Sequence, residues 1–210
     1  MRIILDFDYT LFNAKELREA IKAVFLRYGV EDEVFQKTYE ESRGTRRDWH
    51  PMTQLEILKN HHGINKTAQI ANAMQKTLAK SYIFLYEDTL PFLKSVAKSN
   101  QLALVTYGED SFQNAKVDGC KIMKKYFDRI IITQNIYKDK EAADLAAGGR
   151  ALFVEDNPAA LAATKKLAPN IITVRMNRGM GRYTNEVSGR EVDYEVKELM
   201  EVEKMILKLF

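Results

Sequence analysis

The stretch that decides the reading is Ile3-Ile4-Leu5-Asp6-Phe7-Asp8-Tyr9-Thr10-Leu11-Phe12. Its apolar first half has no polar alternation, which suits a strand buried on both faces of a parallel sheet. It then ends in two acids two residues apart. On an extended chain such side chains point to the same side, so Asp6 and Asp8 share one cavity. Like charges that close cannot both ionise freely, and their pKa values separate unless a cation intervenes. One ionised and one protonated carboxyl make a nucleophile and a proton donor.

Four more apolar runs follow: Leu102 to Val105, Ile130 to Ile132, Ala151 to Val154 and Ile171 to Val174. Helical patterns lie between most of them, so βα alternation and a Rossmann-like parallel α/β sheet are expected. From the second run onward the strands begin about every 20 to 30 residues, as βαβ units require. Nearly a hundred residues separate the first run from the second. That gap predicts an insertion, an all-helical cap over residues 13–88, with 1–12 and 89–210 forming the α/β core. Leu17, Ala20, Ile21, Val24, Phe25 and Tyr28 open the insertion at i, i+3, i+4 spacing. Further helices are expected over 31–41, 52–61 and 66–82. Pro91 fits the first turn of a helix running to Ser99. A short strand over 192–196 and a last helix with Leu199, Val202, Ile206 and Leu209 on one side complete the chain.

Several runs end in polar residues: Thr106 after the second, Thr133 after the third, and Glu155 with Asp156 after the fourth. In open α/β sheets the ligand crevice lies outside the carboxyl ends of the strands, so these residues converge with Asp6 and Asp8. The chemistry that suits them is phosphoryl transfer: Asp6 attacks phosphorus, and Asp8 protonates the leaving oxygen and then activates water. An anion attacking an anion needs neutralisation. Mg²⁺, which takes oxygen ligands, fits a site offering Asp6, Asp156, Glu155 and the backbone carbonyl of Asp8. A lysine completes the site, and Lys138 and Lys140 both stand near the head of the helix after the third strand. Lys140 is favoured because it opens the helical pattern through Ala142, Ala143 and Leu145.

Asp6-Phe7-Asp8-Tyr9-Thr10 resembles the first motif of the haloacid dehalogenase superfamily, Asp-x-Asp-x-Thr at the end of the first strand. Thr106 resembles the second motif, Lys140 or Lys138 the third, and Glu155-Asp156 the fourth, with a helical insertion between the first and second as in the type-one-cap branch. From average composition, Asp-x-Asp-x-Thr alone arises by chance in a chain this long roughly a few per cent of the time. Four motifs in order are far more specific. The resemblance implies the fold, Mg²⁺ and an aspartyl-phosphate intermediate. Many members carry two aspartates in the fourth motif, so Glu155 is a departure.

Other function classes fit less well. Lys and Arg number 32 against 29 Asp and Glu, a formal net charge of +3, so no nucleic-acid partner is implied. The basic runs 43–47 and 121–125 read as solvated faces. Cys120 is alone, which excludes an intrachain disulfide and a cysteine metal cluster. The N-terminal apolar run is too short for a signal segment and no stretch is long enough for a bilayer. A cytoplasmic enzyme with a small phosphorylated substrate, no membrane and no obligate protein partner is expected. His61 and His62 are neighbours on one helix and do not face one ion. Arg43 to His50 is a cap loop that suits contact with a leaving group on closure, and Arg178-Gly179-Met180-Gly181-Arg182 reads as a flexible loop near the site. A phosphosugar mutase, a 2-haloacid dehalogenase and a catalytically silent binding module remain open alternatives; in the resemblance, dehalogenases lack the second aspartate of the first motif.

Overall fold

The computed structural model describes residues 1–44 and 48–209, the side chain of Leu209 excepted. Thr45, Arg46 and Arg47, in the loop expected to meet a leaving group, lie outside the described residues, as does the Leu209 side chain of the last apolar stripe. The chain divides into two compact units, one of residues 1–14, 84–107 and 122–210, the other of 15–83 and 108–121.

The first unit is built on a six-stranded parallel sheet. Its strands are β1 (Arg2–Leu5), β2 (Gln101–Tyr107), β3 (Arg129–Thr133), β4 (Ala151–Glu155), β5 (Ile171–Met176) and β6 (Tyr194–Val196), in the order β3-β2-β1-β4-β5-β6. Each neighbouring pair runs parallel. The five sequence-expected runs are all strands, and the short sixth falls within 192–196. Apolar runs without alternation work here because both faces are covered: Ile3, Ile4 and Leu5 are fully buried, as are Leu152, Phe153 and Val154. One face packs as a cluster of Ile4, Ala103, Val105, Phe153 and Ile171 with Ala142, Leu145, Ala146 and Leu161. Those last four come from two of the helices of this unit. The chain winds outward from β1 on both sides, so the strand order reverses beside β1. Such a switch point is where doubly wound sheets place their ligand crevice.

The second unit is helical, with α1 (Ala14–Arg27), α2 (Asp32–Arg43), α3 (Pro51–His62) and α4 (Thr67–Leu78), joined by the later α6 (Asp110–Asp118). Between α4 and α6 the chain passes through α5 (Thr89–Val96) of the first unit. The fourth helix was expected to run to Tyr82; it stops at Leu78, and a 3₁₀ turn follows over Ser81–Phe84. There the Tyr82 N–H donates to the Gly119 carbonyl at 3.2 Å, a contact a continued α-helix would forfeit. The core of this unit is aromatic. Phe25 meets Phe35 edge-on at 5.1 Å, Tyr39 meets Trp49 at 5.2 Å, and Trp49 meets Phe112 at 5.4 Å. Its buried amide, Gln54, is satisfied on both sides: Nε2 donates to the Phe35 carbonyl at 3.0 Å and Oε1 accepts from the Trp49 indole at 2.7 Å.

After α6 come α7 (Lys121–Lys124), α8 (Asp139–Ala146), α9 (Pro158–Leu167) and α10 (Leu199–Leu209). On α10, Leu199, Val202 and Ile206 are buried, the expected i, i+3, i+7 stripe. Among the described residues no helix is long and apolar enough to cross a membrane.

Candidate active site

The register of the sheet sets the site. Leu5 pairs with Val154, and the Asp6 N–H donates to the Val154 carbonyl at 2.9 Å. Asp6 therefore stands level with Glu155 on the neighbouring strand. Both are buried, at 2% and 0% exposure. On the other side Leu5 pairs with Leu104, which puts Thr106 one residue beyond the level of Asp6; it is 1% exposed.

Lys138 joins the two carboxylates. Its ammonium donates to Asp6 Oδ1 at 2.5 Å and to Glu155 Oε2 at 2.6 Å. Lys140, the favoured residue of the sequence reading, is exposed on α8. The reason is helical phase. Lys138, Ala142, Leu145 and Ala146 stand at i, i+4, i+7 and i+8 on the buried side, whereas Lys140 is about 200° from Ala142 around the axis. That stripe, carried one turn back from Ala142, was the signal in the sequence. What hid it is that Lys138 precedes the helix, as its N-cap with φ 54°, a left-handed conformation uncommon for a side-chain-bearing residue and often found where geometry serves a site.

The loop that delivers Lys138 has its own scaffold, of which the sequence reading named only Thr133, as a residue of the crevice. Thr133 Oγ1 donates to Glu141 Oε1 at 2.5 Å, and Asn135 Nδ2 donates to Asp139 Oδ1 at 2.8 Å and Glu141 Oε2 at 3.1 Å. The Asn135 carbonyl accepts from the Lys138 N–H at 3.1 Å. A strand-end Thr with Asn and two acids around it marks such a turn.

After β4, Glu155 Oε1 accepts the Asn157 N–H at 3.0 Å, and Asn157 in turn caps α9 by accepting the Ala159 N–H at 3.0 Å. Both Glu155 oxygens thus already have donors. Asp6 Oδ2, by contrast, is buried with no hydrogen-bond partner, and carboxylate oxygens of Asp6, Glu155 and Asp156 lie within 4.8 Å of one another.

Fully ionised, the three carboxylates would outnumber the one bonded ammonium by two charges. Burial, then Glu155, raise the Asp6 carboxyl to about 7, with Lys138 pulling against them. Burial, then Glu155 and Asp6, push Asp156 well above the usual carboxylate range. Burial pulls the Lys138 ammonium down, but Asp6 and Glu155 outweigh it and hold it above the ordinary lysine range. Burial and the neighbouring carboxylates together outweigh the one bonded lysine. The two-charge excess of the ionised cluster and the orphaned Asp6 oxygen fit a divalent ion with oxygen ligands.

Asp8 lies on the turn that follows β1. Phe7 O accepts the N–H groups of Leu11 and Phe12 at 2.9 and 3.0 Å, Tyr9 N–H donates to Phe12 O at 2.7 Å, and Tyr9 has φ 60°. The Asp8 charge acts on Asp6, raising its pKa further. In the segment 178–182, expected to be a flexible loop, Arg178 pairs bidentately with Asp88 at 2.9 Å from each terminal nitrogen.

A family model described as haloacid dehalogenase-like hydrolase matches residues 3–174. No curated protein matches the sequence. Solved structures share the fold. One, from Burkholderia xenovorans and described as a haloacid dehalogenase-like hydrolase, superposes with a TM-score of 0.78 at 16% identity, covering 99% of this chain and 96% of that one. A hydrolase of the same class, YfnB of Bacillus subtilis, in a magnesium-bound structure, gives 0.64 at 12% identity over 98% and 97%. The L-2-haloacid dehalogenase of Xanthobacter autotrophicus gives 0.62 at 13% over 100% and 99%.

Proposed function

This chain belongs to the haloacid dehalogenase-like hydrolases, and from that premise we propose that it is a Mg²⁺-dependent phosphatase of a small phosphorylated metabolite, working through an aspartyl phosphate on Asp6. The observation that carries the reading is the cluster of three carboxylates at Asp6 sharing one lysine, with a further carboxylate, Asp8, two residues on.

Asp6 and Asp156, with Glu155 beside them and the Asp8 carbonyl, would hold Mg²⁺, which supplies charge neutralisation at the phosphoryl oxygens. Lys138 rather than Lys140 fixes the Asp6 carboxylate and favours its ionised form. In the first step Asp6 attacks phosphorus as the bond to the leaving oxygen breaks, and Asp8 gives that oxygen its proton. In the second, water passes a proton to Asp8 and attacks the phosphoryl group, releasing phosphate and Asp6. Thr106, at the adjacent strand end, binds a phosphoryl oxygen. Residues 13–88 serve as the cap and 1–12 with 89–210 as the catalytic core. The single, buried cysteine, Cys120, suits action in the cytoplasm.

Turnover of p-nitrophenyl phosphate with Mg²⁺, with chelator, and in Asp6→Asn tests the reading. Activity is expected with Mg²⁺ alone and only in the unsubstituted protein. Full turnover in excess chelator overturns it, and release of halide from a 2-haloacid would assign the site to dehalogenation instead.

A further inference from the structure

Arg178 lies far along the chain from Asp8 yet holds the turn that carries it. Its guanidinium donates twice to the Thr10 carbonyl, from Nε at 3.2 Å and Nη2 at 2.9 Å. The same fork meets Asp88 Oδ1 and Oδ2, each at 2.9 Å, and its plane sits over the Tyr86 ring, 4.0 Å from the centroid. Asp88 Oδ2 also accepts the Leu199 N–H at 2.9 Å, fixing the anion that orients the arginine. The neighbouring carbonyl, Leu11 O, accepts Thr89 Oγ1 at 2.8 Å and Tyr86 N–H at 3.1 Å. Tyr9, which is strained at φ 60°, is backed by Gly181, where an added Cβ would stand 3.0 Å from its ring.

The turn from Asp8 to Phe12 is therefore gripped at successive carbonyls by two other segments. Its backbone hydrogen bonds run back to Phe7 or across to Phe12, while the Thr10 and Leu11 carbonyls are held from outside the turn. We infer that Arg178 is a positioning residue for phosphoryl transfer: by holding the Thr10 carbonyl against Asp88, it fixes the orientation of the Asp8 carboxyl toward the leaving oxygen. This rests on the reading of Asp8 as acid/base. Thr10 is fully buried, so its carbonyl has no solvent to replace the arginine. Only a planar fork reaches carbonyl and carboxylate together, so lysine is a poor substitute despite its charge.

The test compares phenyl phosphate, whose leaving oxygen needs a proton, with p-nitrophenyl phosphate, whose leaving oxygen hardly does. Arg178→Lys and Arg178→Ala are measured alone and with Asp8→Asn, folding being followed by thermal melts. Each is expected to lower kcat on phenyl phosphate by about 10²-fold, as misplaced catalytic groups do. The loss on p-nitrophenyl phosphate is expected to be several-fold smaller, with KM little changed. Added guanidinium is expected to restore part of the Arg178→Ala loss. In the Asp8→Asn background the selective loss should vanish, because the group being aimed is gone. An equal loss on both substrates, a selective loss that persists beside Asp8→Asn, or an unchanged kcat with a lowered melting temperature overturns the inference and leaves the phosphatase reading intact. If Asp8→Asn itself loses both substrates equally, the acid/base assignment falls and the positioning role falls with it. Should Arg178→Ala not fold, Arg178→Lys and Asp88→Asn carry the same comparison.

Discussion

Asp6 and Asp8 differ in surroundings as much as in proposed role. Asp6 is sealed among Lys138, Glu155 and Asp156, while Asp8 stands on a turn. Asp6→Asn is nearly isosteric and removes the nucleophile, so turnover should fall to background with the fold kept. Asp8→Asn leaves the nucleophile and removes assistance worth typically about 10²- to 10⁴-fold per step. Labelled phosphate should then accumulate on the protein in a hydroxylamine-labile form, and its absence from both the unsubstituted protein and Asp8→Asn would argue for direct attack by water. The two lysines make a sharper pair. Lys138→Ala leaves two buried carboxylates without their shared cation, a change that costs several kcal/mol where the charges stay buried, and should abolish turnover. Lys140→Ala removes an exposed charge and should shift neither turnover nor melting by a measurable amount. Asp6 was legible as the acid that ends an uninterrupted apolar run, whereas Asp8 lies on the turn beyond β1, where the period of a strand no longer sets the direction of a side chain. Lys138 was legible only as one of two candidates, because it stands ahead of its helix in a left-handed conformation and the buried stripe has to be carried back to it from Ala142.

Elements were read well where one periodicity ran long. The central strands are apolar without interruption, and α1 and α10 present stripes that helical phase makes unmistakable. What the sequence concealed was a close approach. Gly119 follows α6, and a Cβ built there would stand 1.9 Å from the Leu78 carbonyl and 2.9 Å from the Ser81 Cβ. Its φ is −67°, so it is glycine for room rather than for conformation. This contact joins two segments distant in sequence, and it accounts for the early end of α4. Gly119→Ala is expected to destabilise the helical unit by about 1–3 kcal/mol, the usual cost of overpacking, seen as a lower midpoint in urea. An unchanged midpoint would mean that the junction yields freely. Residues 108–121 illustrate the same limit: they follow β2 directly, yet they belong to the compact unit of the inserted helices.

For the molecule as a whole, the carboxylate cluster ties stability to pH and, on the proposed function, to Mg²⁺. Burial and Glu155 raise the Asp6 carboxyl to about 7, against the ordinary unfolded value of about 3.9. Between those values the folded protein holds a proton that the unfolded chain has released, so this group's contribution to stability is fully present below about pH 4 and is lost as pH rises through 7. On the proposed reading a divalent ion would compete with that proton and bind more tightly as it leaves. The rise in melting temperature produced by Mg²⁺ is accordingly expected to be larger at about pH 8 than at about pH 5.5. A shift independent of pH would show that the ion binds elsewhere.

The pairing of β1 with β4 has a further consequence, for the order of events in folding. Asp6 and Glu155 are neighbours only because strands nearly 150 residues apart in the chain lie side by side, and Lys138 reaches them from a loop between. Local helices form early and such distant pairings late, since the closure entropy of the long intervening chain must be met first. Bringing an ionised Asp6 against Glu155 without the lysine would place two like charges in the interior, so closure of the central seam is favoured once Lys138 is in place. A ribosome-bound chain that ends before β4 has helices and part of a sheet but no reaction centre. Recovery of turnover during refolding should therefore trail the recovery of helix signal, with catalysis as the reporter of the last topological step.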